Sequence, residues 1–479
     1  MNYRVIIYTL GWVLNIEATA MILPLACALI YQESCAPVYL LCALLCLMFG
    51  ILCTAKAPKD KTMYAREGYV TVALSWIVIS IFGAFPFVVS GAIPNYVDAL
   101  FETVSGFTTT GATILTNVEV LPKSLLLWRS FTHWLGGMGV LVFLVAILPL
   151  CGGKNMHLLR AESTGPSVSK LVPKVRSSAL ILYGIYTTLT LMELILLLFG
   201  GMNFYEALNT AFATAGTGGF GIFNSSMSEY SPYIQNVITA FMIIFGIDFT
   251  VYYLILMRKI RQGFRSEELR VYLIIITVAT LLICANCWNL YENIWDNLRN
   301  SAFSVASIIS TTGFMIVDFN TWPELSKAIL VILMFVGGCA GSTGGGMKVS
   351  RIVILFKSIF KEIKIAAHPN RVFKLKFSGR IVEHETMRAV NVFAISLLFI
   401  FVGSFLIISL DNYNFTTNFT AVATTINNVG PGLDLVGPTQ NFSLYSPLSK
   451  LVLTFNMLVG RLEVFPMLIL FSAYTWRKQ

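Results

Sequence analysis

Long apolar stretches recur along the whole chain and are separated by short polar segments. The stretches cover residues 5–31, 38–54, 70–89, 125–150, 179–199, 237–257, 271–288, 329–335, 353–360, 390–410 and 451–474. Most of them reach the about 20 residues that cross a hydrocarbon core as a helix. Because backbone polar groups cannot stay unpaired in lipid, the pattern predicts an all-α integral membrane protein.

Four shorter runs, too polar to span a membrane, interrupt this pattern. They cover residues 97–105, 204–215, 297–307 and 415–424, and begin near Asp98, Glu206, Asp296 and Asn414, residue types that favour helix N-termini. A glycine-containing segment ends each run, at 107–113, 216–220, 310–314 and 427–432. With Gly111, Gly218, Gly313 and Gly430 as equivalents, the unit repeats every roughly one hundred residues. The chain is therefore predicted to fold as span, half-helix, glycine turn and span, four times over.

The glycine turns have the chemistry of a cation filter. Glycine tolerates positive φ, which allows successive carbonyl groups to point at one axis. Four such turns would supply the cage of oxygens that a dehydrated cation needs, with the C-terminal ends of the half-helices directed at it. The predicted filter residues are Thr109, Thr110, Gly111, Gly216, Thr217, Gly218, Thr311, Thr312, Gly313, Asn428, Val429 and Gly430. Helix caps or packing glycines would explain any one segment, but not four in equivalent places.

Charge is sparse and unevenly distributed. Of 479 residues, 56% are hydrophobic and 12% charged, and the net charge is +9. The basic residues cluster in alternate loops, at 56–66, 154–176, 258–270 and 348–388, and at the C-terminus, whereas the intervening loops are mainly acidic. The positive-inside rule therefore places the basic loops and both termini in the cytoplasm and the four turns on the outer side. Such scattered loops are not the basic patch of a nucleic-acid-binding protein.

The third repeat has a second span that cannot be one straight helix. Residues 337–348 are rich in glycine and hydroxyl groups, which favours two helical pieces around a loop. The candidate gating residues here are Gly337, Gly338, Gly341, Ser342, Thr343, Gly344, Gly345, Gly346 and Lys348. The glycine spacing is similar to that of a Walker A loop, but Met347 stands at the lysine position, so nucleotide binding is not expected.

Five segments together carry a family resemblance. SGFTTTGAT at 105–113, STTGF at 310–314, GGCAGSTGGGMKVSR at 337–351, NNVGPGL at 427–433 and GRLEVFP at 460–466 resemble the TrkH/TrkG potassium transport subunits of the Trk/Ktr/HKT superfamily. The resemblance covers essentially the whole chain, and two extra N-terminal spans favour the TrkH type over the shorter KtrB. Two departures are Gly216, where the family often has serine, and Val429, which replaces a threonine.

The resemblance implies an architecture and a set of partners. It implies four pseudo-symmetric repeats around one central pore, a homodimer, potassium as the substrate, and no cofactor in this chain. A cytosolic TrkA-type regulatory subunit would bind the nucleotide, ATP/ADP or NAD(H), and the chain would lie in the bacterial cytoplasmic membrane. The expected boundaries are 1–66 for the N-terminal helices and 67–178, 179–269, 270–385 and 386–479 for the repeats.

The resemblance also assigns roles to the gate. It places residues 337–348 under the filter as an intramembrane loop that gates the pore, and Arg461 inside the pore just beneath the filter. A charge within a span marks a pathway or a partner, so a structural pair of Arg461 with Glu463 or Asp248 is the alternative. For Lys348, anchoring of the loop is as good an explanation as gating.

The expected function is therefore potassium uptake, with three alternatives. A sodium carrier and a sodium-coupled symporter are the nearer ones, and the sequence does not separate channel from coupled transporter. A membrane-embedded lipid transferase would need carboxylates or histidines clustered at a membrane face, whereas the acids here are dispersed. No set of nucleophile, base and orienting residue is visible, so the chain is not expected to be an enzyme.

Overall fold

The computed structural model describes residues 1–59, 63–137, 139 and 175–477. The predicted basic loop at 154–176 lies largely outside these residues. In the described part of the chain, the regular structure is helical apart from strands Lys376–Phe377 and Arg380–Ile381, which form a small antiparallel hairpin. Six of the described helices are long and apolar enough to cross a membrane, and a bent pair of helices would be a seventh span.

Two spans precede the first repeat. Tyr3–Ala20 continues as Ile22–Ile30, and Ala36–Thr54 runs back beside it. The two spans cross at Gly11 and Gly50, where a Cβ on Gly11 would lie 2.8 Å from the Gly50 carbonyl oxygen. These N-terminal helices match the prediction of two extra spans.

The described helices follow the predicted order of leading span, half-helix, turn and trailing span. The leading spans are Ala65–Gly83 with Phe85–Val89, then Val175–Phe199, Glu267–Asn286 and His384–Ile408. The four half-helices are Tyr96–Phe107, Phe204–Gly216, Ile294–Ile309 and Phe415–Asn427. The first trailing span is described as Lys123–Gly137. The prediction of an all-α membrane fold is confirmed.

The other three trailing spans are all broken. They comprise Pro232–Phe245 with Phe249–Leu256, Glu324–Val336 with Val349–Ala367, and Pro447–Arg461 with Phe465–Phe471. The two parts of the second are bent by 91° at a break that contains Gly246 and Asp248. In the fourth, Glu463 and Val464 have φ of 56° and 68°. The sequence predicted only the third break, because the apolar runs 237–257 and 451–474 carry no glycine-rich insert.

Shorter helical elements complete the described chain. They are Ile260–Phe264, Trp288–Leu290, Phe319–Thr321, Ser409–Asp411, Asp434–Val436, Phe442–Leu444 and Ala473–Trp476. The spans differ in how much of them is covered by protein: 56% of the most apolar window of 65–89 is buried, against 22% for 384–411. The leading span of the first repeat is enclosed because Tyr3–Ala20 packs against it, whereas most of that of the fourth is exposed on the surface of the chain.

An asparagine begins each half-helix. The side-chain oxygens of Asn95, Asn203, Asn293 and Asn414 accept hydrogen bonds from backbone N–H groups of the first turn. An N-cap of this kind satisfies one of the N–H groups that a helix start leaves unpaired. The shared cap fixes where each half-helix starts and, with it, where its C-terminal end meets the turn.

Removing one of these caps tests its contribution to the stability of the protein. Asn95→Ala should lower the apparent melting temperature of the purified protein, because the cap contributes about 1 kcal/mol. Asn95→Asp retains the acceptor oxygen for the N–H of Val97, which lies 2.9 Å away, and should melt close to the wild type. Thermal unfolding in detergent measures the midpoints, and equal midpoints for the two variants would contradict the capping role.

Candidate cation-conduction site

The four turns share one backbone conformation. Each has two residues with positive φ separated by one residue without it. The first positions are Thr109, Thr217, Thr311 and Asn428, with φ of 55°, 56°, 61° and 54°, and the third are Gly111, Gly219, Gly313 and Gly430, with φ of 79°, 77°, 82° and 97°. The N–H of each middle residue, Thr110, Gly218, Thr312 and Val429, donates to the carbonyl five residues earlier. The turns are therefore equivalent in structure as well as in sequence order.

This equivalence corrects the predicted register of the second turn by one residue. Gly219, and not Gly218, matches Gly111 in the positive-φ position, while Gly218 takes the place of Thr110. Gly216 is the last residue of its half-helix and lies against the backbone of His133. The sequence misled because Gly216, Gly218 and Gly219 offer three glycines in four positions, and only the backbone angles decide among them. We call residues 109–111, 217–219, 311–313 and 428–430 turns 1 to 4.

The turns form a closed ring. A Cβ built on Gly111 would collide with the carbonyl of Gly218, one on Gly219 with that of Thr312, and one on Gly313 with that of Val429. The ring closes because a Cβ on Gly430 would lie 2.7 Å from the carbonyl oxygen of Thr110. Each turn thus presses its glycine against the middle carbonyl of the next, and no side chain fits between them.

A second ring of hydrogen bonds joins the segments that follow the turns. Asn224 bridges the first and second repeats, with 2.9 Å contacts to Val118 and Glu119. The N–H of Met227 donates to the carbonyl of Met315 (2.9 Å) and joins the second and third. The remaining two links are Asp434 N–H to Asn320 (2.9 Å) and Phe442 N–H to the carbonyl of Thr113 (2.8 Å). The repeats therefore follow the same order in the ring of turns and in the ring of hydrogen bonds formed by the segments after them.

The first position of each turn carries a side chain with an oxygen atom. The hydroxyl of Thr217 donates to the carbonyl of Gly216, and that of Thr311 accepts from the N–H of Gly345. In the described part of the chain, Thr109 Oγ1 and Asn428 Oδ1 are buried without a hydrogen-bond partner. Buried oxygens without a donor are the ligands that a cation can use.

The fourth turn, like the second, has no hydroxyl group at its middle position. Val429 occupies the position of Thr110, Gly218 and Thr312, so it contributes a carbonyl without a hydroxyl. The amide of Asn428 compensates in part, because its Nδ2 donates to Thr110 Oγ1 (2.8 Å) and to the carbonyl of Met457 (2.9 Å). Turn 4 is therefore tied to turn 1 by a side chain.

A buried network that was not predicted from the sequence lies behind turns 1 and 2. Arg129 pairs with Glu102 at 2.8 Å, and Glu102 also accepts from the N–H of Ile114. His133 accepts from the N–H of Phe220 through Nε2, so Nδ1 carries the proton and donates to the carbonyl of Gly106. An arginine and a histidine within an apolar trailing span were the available signal, because such groups are retained in a membrane only with partners.

The segment between the halves of the third trailing span folds beneath the ring. We call residues 337–348 the loop. At its tip, the N–H of Gly345 donates to Thr311 Oγ1 (2.6 Å) and that of Gly346 to the carbonyl of Asn427 (2.9 Å). The loop therefore touches the half-helix ends of the third and fourth repeats from the side opposite Gly313 and Gly430.

The loop packs into the break in the second trailing span and forms hydrogen bonds there. The carbonyls of Phe245 and Gly246, left without helical partners, accept from the Thr343 hydroxyl (3.2 Å) and the Cys339 N–H (2.9 Å). Across the break, the N–H of Phe249 donates to the carbonyl of Gly341 (3.1 Å). Helix ends in a membrane need such partners, so the break and the loop complete each other.

Arg461 joins the loop to the first repeat. Its guanidinium group is 7% exposed and donates to the carbonyls of Thr343 and Gly136, at 2.7 Å each. Glu463, an alternative partner from the sequence, pairs with Arg351. Lys348 is buried and its ammonium group donates to the carbonyl of Gly344, so it anchors the loop internally. Both cations thus hold loop carbonyls.

The fold and this site define a class. The structure is a helical membrane protein with four repeated turns in a closed ring, in which each turn meets a backbone carbonyl of the next, and a loop contacts the ring on one side. Residues 38–478 match the model of the TrkH family, described as a cation transport protein. The chain belongs to the TrkH family of cation transport proteins.

The chain is similar to named relatives over its full length. The chain is 36% identical to the Trk system potassium uptake protein TrkH of Salmonella typhimurium and 35% identical to that of Escherichia coli K12, with all of each chain covered. Identity to the E. coli protein TrkG is 31%, with 99% of each chain covered. The crystal structure of the potassium transporter TrkH from Vibrio parahaemolyticus superposes with a TM-score of 0.89 at 31% identity, with both chains fully covered. These relatives are transport proteins, so the chain is a transporter and not an enzyme.

The corrected register of turn 2 predicts which glycine of this turn is needed for cation flux. Gly219→Ala should reduce cation flux in proteoliposomes by about tenfold or more, because the residue has positive φ and the added methyl group meets the Thr312 carbonyl. Gly221→Ala is the matched control, since the nearest atom to its Cβ would lie at a relaxed 3.4 Å. Full flux in a folded Gly219→Ala variant would rule out Gly219 as the third residue of turn 2.

Proposed function

We propose that this chain takes up potassium across the cytoplasmic membrane of a bacterium. Dehydrated ions would pass the oxygens of turns 1 to 4, with the loop 337–348 as the gate. The ring of glycine-to-carbonyl contacts carries the proposal, because it brings four equivalent carbonyl groups within reach of one axis. Full-length similarity to proteins named for potassium uptake supports the choice of ion.

The ion ligands follow from the turn geometry. The proposed ligands are the backbone oxygens of Thr109, Thr110, Gly111, Thr217, Gly218, Gly219, Thr311, Thr312, Gly313, Asn428, Val429 and Gly430. The unpartnered oxygens Thr109 Oγ1 and Asn428 Oδ1 would extend the site on the side of the loop. Gly216 contributes to packing on His133 and not to this ligand set.

The loop is proposed to close the pore through its backbone contacts. Its glycines at 337, 338, 341 and 344–346 allow the chain to turn in a confined space, and its Ser342 and Thr343 hydroxyl groups bond nearby carbonyls. Arg461 and Lys348 hold it under the ring by donating to loop carbonyls. Displacement of this segment would open the path.

The chain is proposed to act within an assembly. By family resemblance, it forms a homodimer and binds a cytosolic TrkA-type subunit that carries the nucleotide, ATP/ADP or NAD(H). The repeats would run 67–178, 179–269, 270–385 and 386–479 after the N-terminal helices of 1–66. The N-terminal amine lies 3.9 Å from Glu67, beside the basic loop of 56–66, which supports a cytoplasmic N-terminus.

One observation favours a different ion. Val429 in turn 4 and Gly218 in turn 2 both lack the hydroxyl group that Thr110 and Thr312 carry at the same position, which weakens the case for strict discrimination against sodium. Transport of sodium, or of potassium coupled to sodium, is therefore the alternative function to be tested.

Growth and flux measurements test the function. Expression should restore growth of a potassium-uptake-deficient bacterium in potassium-limited medium, more strongly with a TrkA-type partner than without it. The Gly219→Ala variant should fail in the same assay because its ring is distorted. Purified protein in proteoliposomes should then conduct potassium faster than sodium. Faster sodium flux, or potassium flux only with sodium present, would favour the alternative.

Arg461 provides a test of the gate. Arg461→Gln should raise basal potassium flux by about threefold or more, because one charge-assisted hydrogen bond to the loop and one to Gly136 of the first repeat are lost, together with a positive charge in the proposed pore. Arg461→Lys retains the charge but not the two-pronged geometry, so it separates pinning from electrostatic repulsion. The measurement is flux without the regulatory partner, and unchanged flux in folded Arg461→Gln would exclude Arg461 from the gate.

A further inference from the structure

The base of the loop is held together at one carboxyl group. The loop leaves the third trailing span after Val336, and the span resumes at Val349, whose N–H donates to the Gly338 carbonyl (3.1 Å). At this base, Glu268 Oε1 accepts from the N–H of Ala340 (2.6 Å) and from that of Ser350 (3.1 Å). A single oxygen thus joins the start of the loop, at Ala340, to the helix that follows the loop, at Ser350.

Glu268 belongs to neither half of the broken span. It lies in the first turn of the leading span Glu267–Asn286 and is 7% exposed. The N–H of Ser350 is one of the unpaired donors at the start of the helix Val349–Ala367, and that of Ala340 lies in irregular backbone. Both donors need a partner in the protein, and Glu268 supplies it from outside the loop.

We propose that Glu268 is a positioning residue of the gate, which clamps the two ends of the loop and so holds its tip under the ring. This inference rests on the proposed gating function of residues 337–348. The tip contacts the ring mainly through two backbone hydrogen bonds, at Gly345 and Gly346, and the clamped base helps to keep the tip in place for them. Loss of the clamp lets Ala340 and Ser350 separate and the tip withdraw.

The neighbouring residue connects this clamp to the β-hairpin of 376–381. Glu267 accepts from the N–H of Ser378 (2.9 Å), and its own N–H donates to Ser378 Oγ (3.2 Å). Lys357, on the returning half of the broken span, pairs with Glu267 and also donates to the carbonyl of Lys376 (2.9 Å). A displacement of the hairpin therefore moves the helix turn that carries Glu268.

Cys339 reports on the clamp without any added probe site. This cysteine precedes Ala340 and is 1% exposed. We expect Glu268→Ala to raise the rate of its modification by N-ethylmaleimide by about tenfold, since two hydrogen bonds to the clamp are lost. Peptide mass spectrometry of the purified full-length protein measures the rate, and Cys287, which is fully buried, serves as an internal reference. Basal potassium flux should rise in parallel.

Further variants separate positioning from folding. Glu268→Leu keeps the volume but no acceptor and should expose Cys339 selectively, whereas Glu268→Gln keeps an acceptor oxygen and should restore most of the protection. Glu267→Ala should expose Cys339 to a smaller extent through the hairpin. The exposed Glu362→Ala, on the returning half of the span, is the control and should behave as the wild type.

The outcomes are distinct. Protection of Cys339 in folded Glu268→Ala and Glu268→Leu would overturn the proposal, as would exposure of Cys287 together with Cys339 in both variants. If Cys339 stays protected only in Glu267→Ala, the clamp by Glu268 stands and the hairpin has no part in it. Absence of potassium flux in the wild type would instead refute the proposed function, while the labelling rates would still decide whether Glu268 clamps the loop.

Discussion

The structure depends on one constraint, which is that irregular backbone inside a membrane must find its hydrogen-bond partners within the protein. The chain has such backbone at the four turns and in the loop 337–348. At the turns, the middle N–H bonds back to its own half-helix, and the carbonyls lie against the glycines of the neighbouring turn. Each repeat therefore needs its neighbours, and the ring forms as a whole.

The same constraint accounts for the broken trailing spans. A helix that ends at Phe245 leaves carbonyls unpaired, and the loop from the third repeat supplies donors at Cys339 and Thr343. Arg461, at the end of the helix Pro447–Arg461, spans the gap between the loop and Gly136 of the first repeat. The loop is thus bonded to the second and fourth repeats and, through Arg461, linked to the first.

The repeats are alike in backbone and different in side chains. All four half-helices start at an asparagine cap and end in the same pair of positive-φ residues. The pairing of Glu102 with Arg129 lies behind turn 1, the amide of Asn428 reaches turn 1 from turn 4, and the glycine-rich loop belongs to the third repeat. Shared backbone builds the proposed ion path, whereas the differing side chains connect the repeats to one another and to the loop.

The class of fold, the number of repeats, the half-helices and the break at residues 337–348 could be predicted from the residues alone, because hydrophobic length and glycine chemistry are local properties. The same residues indicated that Arg461 is a buried charge with a role. The folded chain was needed to see that Gly219 and not Gly218 completes turn 2, that the second and fourth trailing spans are broken, and that Glu268 bonds both ends of the loop. These features depend on backbone angles and on partners more than 70 residues away, such as Ala340 for Glu268. Residue types alone do not encode which distant N–H a carboxyl group will meet.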